Sequence, residues 1–163
     1  MKLYLAGPDV FRTDALNWAD EAHALCRRFG HQALIPLDGE ARDAAGIYAD
    51  NIAMIGAADV VLANLAPFRG AEPDSGTCFE VGFAIALGKP VLAYLPSGEA
   101  LHERVARFFG PLGHDAHGML DAQGLRVEAF GLPLNLMLAV PSQIVIGDLG
   151  AALARLPGSM SGC

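Results

Sequence analysis

Short apolar runs, each closed by Gly or Pro or followed by a turn, alternate along this chain with longer segments of helical period. That alternation restricts the fold more than any other feature. KLYLAG (2–7) ends in Gly-Pro, HQALIP (31–36) is stopped by proline, and VVLANL (60–65), PVLAYLP (90–96) and QIVIG (143–147) repeat the theme. Each suits a buried strand. Between them, residues 14–29 place Leu16, Ala19, Ala22, Leu25, Cys26 and Phe29 at helical spacing before Gly30. Residues 46–58 carry Ile47, Ile52, Ile55 and Ala58, and 76–87 form a largely apolar segment closed by Gly88. Residues 99–109 read as an amphipathic helix and 148–156 as a last one. The Gly-, His- and Asp-rich stretch 110–124 reads as a loop, RVEAF (126–130) as a short extended piece and LPLNLMLAV (132–140) as a short helix. Apolar strands alternating with helices need a parallel sheet covered on both faces. The expected fold is therefore α/β: an open, doubly wound (Rossmann/flavodoxin-like) parallel sheet of about five strands with helices on both faces. One domain is expected over 1–157, followed by a small-residue tail, 158–163, expected to fray. The pattern does not fix the strand order.

Composition narrows the partners. The net charge is −7, and Lys and Arg form no cluster. A nucleic-acid or anionic-membrane surface is not expected, because phosphate binding needs basic patches. No apolar run reaches the roughly 18 residues of a membrane helix. Cys26, Cys78 and Cys163 are odd in number and lack metal-type spacing, which suits free thiols in a reducing, cytoplasmic setting. His114 and His117 stand three apart in a Gly- and Asp-rich loop with no third ligand, so neither a metal nor a cofactor is expected.

In open α/β sheets, ligands bind beyond the carboxyl ends of the strands. The segments expected there, AGPDVF (6–11), PLDGE (36–40) and APFRGAEPDSG (66–76), should converge on one crevice. The helix that begins at its mouth carries one charged side chain between Cys78 and Leu87, namely Glu80. Phe83, Ala84 and Leu87 share its helix face, so the carboxylate should look into the core or a cleft. An unpaired buried carboxylate is costly, and the ionised form needs a hydrogen-bond partner. Glu80 can serve as a cap to backbone amides or as a functional acid. Asp74, just before Ser75-Gly76, suits a helix N-cap and equally a ligand for a hydroxyl. Tyr4, near the end of the first strand, is a core tyrosine or a phenol reaching Glu80. Phe11 is a core plug or a ring that stacks on a flat ligand.

YLAGPDVF, FRGAEPDSGTCFEVGFAIALGKPV and LRVEAFGLPLNLML, in that order and spacing, resemble the nucleoside 2-deoxyribosyltransferase family over nearly the whole chain. The resemblance implies a transferase that moves 2-deoxyribose between bases by double displacement, with deoxynucleosides and free nucleobases as substrates and a role in nucleotide salvage. It implies that Glu80 is the nucleophile, that Tyr4 holds it, and that Asp74 binds the sugar hydroxyls. It implies that Phe11 and Asn51 meet the base, with Gly7 and Gly76 in the same substrate-binding turns. Asn51 stands where some members carry an aspartate, and Asp50 next to it should project in another direction. Asn135 and Met137 are implied to enter the site of a neighbouring subunit, which makes the protein a homo-oligomer.

Two alternatives stand beside this reading. One is an N-glycosidase on the same scaffold, with Arg69, Ser75 and Ser97 as the nearest groups for a 5′-phosphate. The other is a non-catalytic nucleotide-binding module. A dinucleotide-binding oxidoreductase is disfavoured, because AGPDVF lacks the G-x-G-x-x-G spacing.

Overall fold

The computed structural model describes residues 1–157; the expected tail 158–163, with Cys163, lies outside the described residues. Five strands pair in parallel: β1 (Lys2–Ala6), β2 (Gln32–Leu34), β3 (Val60–Asn64), β4 (Val91–Leu95) and, after a hairpin described below, β7 (Gln143–Ile146). Their order across the sheet is β2-β1-β3-β4-β7, with β1, β3 and β4 inside. This is an α/β, doubly wound, flavodoxin-like sheet. Its reversal of direction lies between β1 and β3, and a crevice opens there.

Side-chain parity divides the core in two, because successive residues of a strand face opposite sides. Leu3, Leu5, Val60, Leu62, Leu92 and Tyr94 face one side. There they meet Ala19, Ala22 and Cys26 of α1 (Ala15–Arg28) and Leu149, Ala152 and Leu153 of α6 (Leu149–Leu153). Tyr4, Ala6, Val61, Ala63, Ala93 and Leu95 face the other. They pack against Ile55 of α2 (Ala44–Ala57), Val81 and Ala84 of α3 (Ser75–Ala86), and Ala139 of α5 (Leu136–Ala139). The strands are apolar at almost every position because both faces are covered. The register Tyr4↔Val61 and Leu5↔Leu62 places Tyr4 on the α3 side.

The loop expected over 110–124 is instead partly ordered. After α4 (Leu101–Phe109), β5 (Gly113–Asp115) and β6 (Gly118–Leu120) form a small antiparallel hairpin. It escapes a reading by hydrophobic alternation because β5 is fully exposed and polar. A charged clamp holds it: Arg126 donates to both oxygens of Asp115 at 2.6 and 2.7 Å, and the Asp115 Oδ1 also accepts from the His117 amide at 2.7 Å. The extended piece expected over 126–130 shrinks to one bridge, between Leu120 and Arg126. No helix among the described residues is long and apolar enough to cross a membrane.

Arg104 of α4 is only 2% exposed, unusual for an arginine. Its Nε donates to the Ala71 carbonyl at 2.7 Å and its Nη2 to the Pro133 carbonyl at 2.5 Å. One guanidinium thus ties the loop before α3 to the segment before α5. Arg104→Met keeps much of the packing but strands two carbonyls. It is expected to lower stability by about 2–3 kcal/mol; an unchanged urea midpoint would refute this.

Candidate active site

The end of β1, the end of β3 and the start of α3 are locked together by short-range geometry. Gly7 packs so closely on Asn64 that a Cβ at this position would lie 2.8 Å from the Asn64 Cβ. The Asn64 Nδ2 donates to Asp9 Oδ2 at 2.8 Å, and its Oδ1 accepts from the Ala66 amide at 3.2 Å. These bonds fix the Pro8–Phe11 turn against the tip of β3. The chain then enters α3 through Asp74, the N-cap, whose Oδ2 accepts from Thr77 N at 2.9 Å and from Thr77 Oγ1 at 3.0 Å.

Between these elements lies a mainly apolar cavity of about 670 Å³, ample for a nucleoside-sized ligand. Its walls take residues from all three segments expected to converge: Gly7 and Phe11, Pro36 and Gly39, Asp74 and Gly76. Glu80 and Asn51 also line it. The Tyr4 hydroxyl donates to Glu80 Oε1 at 2.6 Å. Tyr4 itself is 0% exposed, so its ring is fixed by the core and its oxygen is delivered to one place. Glu80 is therefore paired across the cavity with a strand residue and is not used as a cap.

The electrostatics follow from this placement. Burial raises the Glu80 pKa most, the Tyr4 hydrogen bond lowers it, and the nearby Asp74 charge raises it, leaving it at about 7. Burial, the Glu80 charge and the hydrogen bond to Glu80 all push the Tyr4 phenol upward, so it stays a neutral donor. Cys78 is a second potential nucleophile on the same helix. Burial and the charges of Asp74 and Glu72 raise its pKa, which keeps it a thiol. Of the reactive groups on α3, the carboxylate is the one poised near neutral pH.

Phe11 is 57% exposed and stacks on Phe68, with ring centroids 5.4 Å apart. The Arg69 guanidinium lies 5.5 Å from the Phe11 centroid and 4.6 Å from that of Phe68. Arg69 adopts a left-handed backbone, φ 55°, to reach over both. The Asn51 Oδ1 is buried without a protein partner among the described residues. Asp50, expected to project elsewhere, lines the same cavity. The cavity wraps around that part of α2, so neighbouring helix positions both reach its wall.

Asn135 and Met137 do not join Glu80. Asn135 is the N-cap of α5: its Oδ1 accepts from Met137 N at 3.0 Å, and its Nδ2 donates to Glu128 Oε1 at 2.7 Å. Met137 is 71% exposed. Neither lines the cavity of its own chain.

Sequence reasoning did not single out Leu16, Ile47, Thr77 or Arg42, all of which line the cavity. Leu16 and Ile47 look like core positions of amphipathic helices. Thr77 was recoverable as the third residue after a capping Asp. Arg42 was the less visible one, a lone cation just beyond the PLDGE turn.

Comparison with known proteins gives a consistent answer. Residues 3–137 match the family model described as nucleoside 2-deoxyribosyltransferase. A 2-deoxyribosyltransferase from Leishmania mexicana superposes with a TM-score of 0.78 at 38% identity, covering 94% of each chain. A 2-deoxyribosyltransferase from Bacillus psychrosaccharolyticus superposes with a TM-score of 0.50 at 25% identity, over 66% of this chain and 82% of that one. An uncharacterized protein of Schizosaccharomyces pombe is 30% identical over 155 residues, 83% of this chain and 74% of its own.

The raised Glu80 pKa has a consequence for stability. Between its ordinary value of 4.5 and about 7, the unfolded carboxyl is ionised while the folded one holds its proton. Stability therefore falls as pH rises through that window, and the penalty is complete above about 7. Glu80→Gln removes it, and is expected to be more stable than the parent by about 1–3 kcal/mol at pH 8. The two should converge near pH 4. Thermal melts at the two pH values check this; a Gln variant less stable at pH 8 would contradict it.

Proposed function

The chain belongs to the nucleoside 2-deoxyribosyltransferase family, and from that premise we propose that it moves 2-deoxyribose between nucleobases through a covalent ester on Glu80. The observation that carries this reading is the 2.6 Å bond from Tyr4 to Glu80 within a mainly apolar cavity. The phenol occupies Oε1 and leaves Oε2 free to approach C1′. Breaking the N-glycosidic bond builds positive charge on the sugar, which a carboxylate beneath the ring stabilises and then captures. The first base leaves, a second enters, and its ring nitrogen displaces Glu80 from the opposite face. Two inversions give net retention. Apolar walls keep water from the ester while the base site is empty.

The other groups have complementary roles in this reading. Asp74 has Oδ2 engaged by Thr77, and Oδ1 remains for a deoxyribose hydroxyl. Phe11 offers a flat face to the base, and Asn51 an amide for its polar edge. Gly7 and Gly76 keep the wall low where the sugar sits. Asn135 and Met137 serve the site of a neighbouring subunit in a homo-oligomer. In support, Met137 and Val140 are exposed, and so is an aromatic strip of Tyr48 and Phe79 beside the cavity. Such apolar area suits a subunit contact. The working unit is one domain over 1–157, and the reaction fits nucleotide salvage in the cytoplasm.

Intact-mass analysis after mixing with a 2′-deoxynucleoside is expected to show a deoxyribosyl adduct. Glu80→Ala should lose both the adduct and roughly 10³-fold or more of the transfer rate while staying folded. Base release that ignores an added acceptor base would point to hydrolysis and sink the transferase reading. The shared site has its own check. Inactive Glu80→Ala and Asn135→Ala proteins, dissociated and reassembled together, are expected to regain part of the activity, because some mixed sites carry both intact residues. No recovery in verified mixed oligomers would reject a site built from two subunits.

A further inference from the structure

We propose that Arg42 is a further catalytic residue, whose guanidinium takes up the negative charge that a nucleobase acquires as its glycosidic bond breaks. The proposal rests on deoxyribosyl transfer at Glu80. Arg42 is the one cationic side chain among the residues that line the cavity, against the carboxylates of Asp50, Asp74 and Glu80. It makes no ion pair among the described residues; the four that occur there use Arg12, His23, Arg107 and Arg126. Its Nη1 donates to the carbonyls of Gly39 and Ala41, at 3.1 and 2.9 Å. Both bonds run through the same nitrogen, so Nη2 and Nε keep their hydrogens for a ligand.

The backbone that carries Arg42 is anchored on both sides. Ahead of it, the Ala41 amide donates to Asp50 Oδ2 at 3.4 Å. Gly39 lies so tightly on Asp50 that a Cβ would come within 2.5 Å of that oxygen. Behind it, Asp43 caps α2 by accepting from the Gly46 amide at 2.9 Å. The loop is thus seated on α2, and its cation is folded back over its own carbonyls at the cavity wall.

The chemistry needs such a charge. As Glu80 Oε2 bonds C1′, the pair of the C1′–N bond goes to the base. Asn51, on the adjacent wall, has no acidic proton to give, and Asp50 Oδ2 is turned to a backbone amide. The base therefore leaves as an anion beside Arg42 and takes its proton from water on departure. In the second half-reaction the entering base gives its N–H proton to water, its nitrogen pair attacks C1′, and the ester pair returns to Glu80. Arg42 stays protonated throughout. Glu80 and Arg42 then match the two ends of the charge separation, positive sugar and negative base.

The test is single-turnover base release from 2′-deoxyuridine and its 5-halogenated relatives, whose bases differ in acidity. Parent, Arg42→Gln, Arg42→Lys and Glu80→Ala proteins are compared, with circular dichroism to verify folding. Arg42→Gln is expected to lose roughly 10–100-fold on the least acidic base and much less on the most acidic one, so that the rate depends more steeply on leaving-group acidity. Arg42→Lys should recover part of the loss. An equal loss across the series, an unchanged rate or a change in KM alone would overturn the assignment. If the parent releases no base, or Glu80→Ala releases it as fast, the reaction proposed at Glu80 fails and this proposal with it. Glu80-dependent release with parallel slopes rejects Arg42 alone.

Discussion

The hydrogen bond between Tyr4 and Glu80 depends on two independent parts of the fold being in register. Tyr4 reaches the α3 side only because β1 pairs with β3 as Tyr4↔Val61. A slip of one residue would turn the phenol toward α1 and leave Glu80 alone in an apolar wall. Glu80 in turn reaches the phenol because Asp74 starts α3 at a fixed point, through its bonds to Thr77. The cavity, the carboxylate near neutral pH and the placement of the sugar all presuppose that these two settings agree. Two close-packed core layers hold them, so the site inherits the rigidity of the sheet.

The cavity also sets stability against reactivity. Burial that makes Glu80 reluctant to ionise makes its carboxylate a better partner for a cationic sugar, since the same desolvation strengthens attraction within the pocket. The Tyr4 bond moderates the cost enough to keep part of the population ionised near neutrality. Asp74 opposes that effect by its charge, and its engagement with Thr77 spreads the charge into the start of α3.

Most of the architecture was legible in the chain because its signals are local and repeated. Five apolar runs, five helical periods and their Gly and Pro boundaries suffice for a doubly wound sheet, and helix ends shift by a residue or two at most of them. The order β2-β1-β3-β4-β7 was not legible, since pairing of parallel strands is a long-range choice. The β5–β6 hairpin was not legible either, because it rests on Asp115 and Arg126 and not on alternating apolar residues. At the site, Glu80 stood out as a lone charge on an apolar helix, and Asp74 as a cap. The partner of Glu80 could not be read from strand periodicity, which makes Tyr4 one more core residue. Asp50 was judged by helix direction alone; the cavity follows the curve of α2 closely enough to admit it beside Asn51. Arg42 gave no periodic signal at all.

Arg104 grips the carbonyls of Ala71 and Pro133 from inside the core. The first lies three residues before Asp74, and the second two residues before Asn135. A displacement on either strap is transmitted to the other through a single planar group. In an assembly where each chain lends its late segment to the next, occupancy of one crevice would be felt in its neighbour, and this buried guanidinium would be the hinge-pin of that crosstalk.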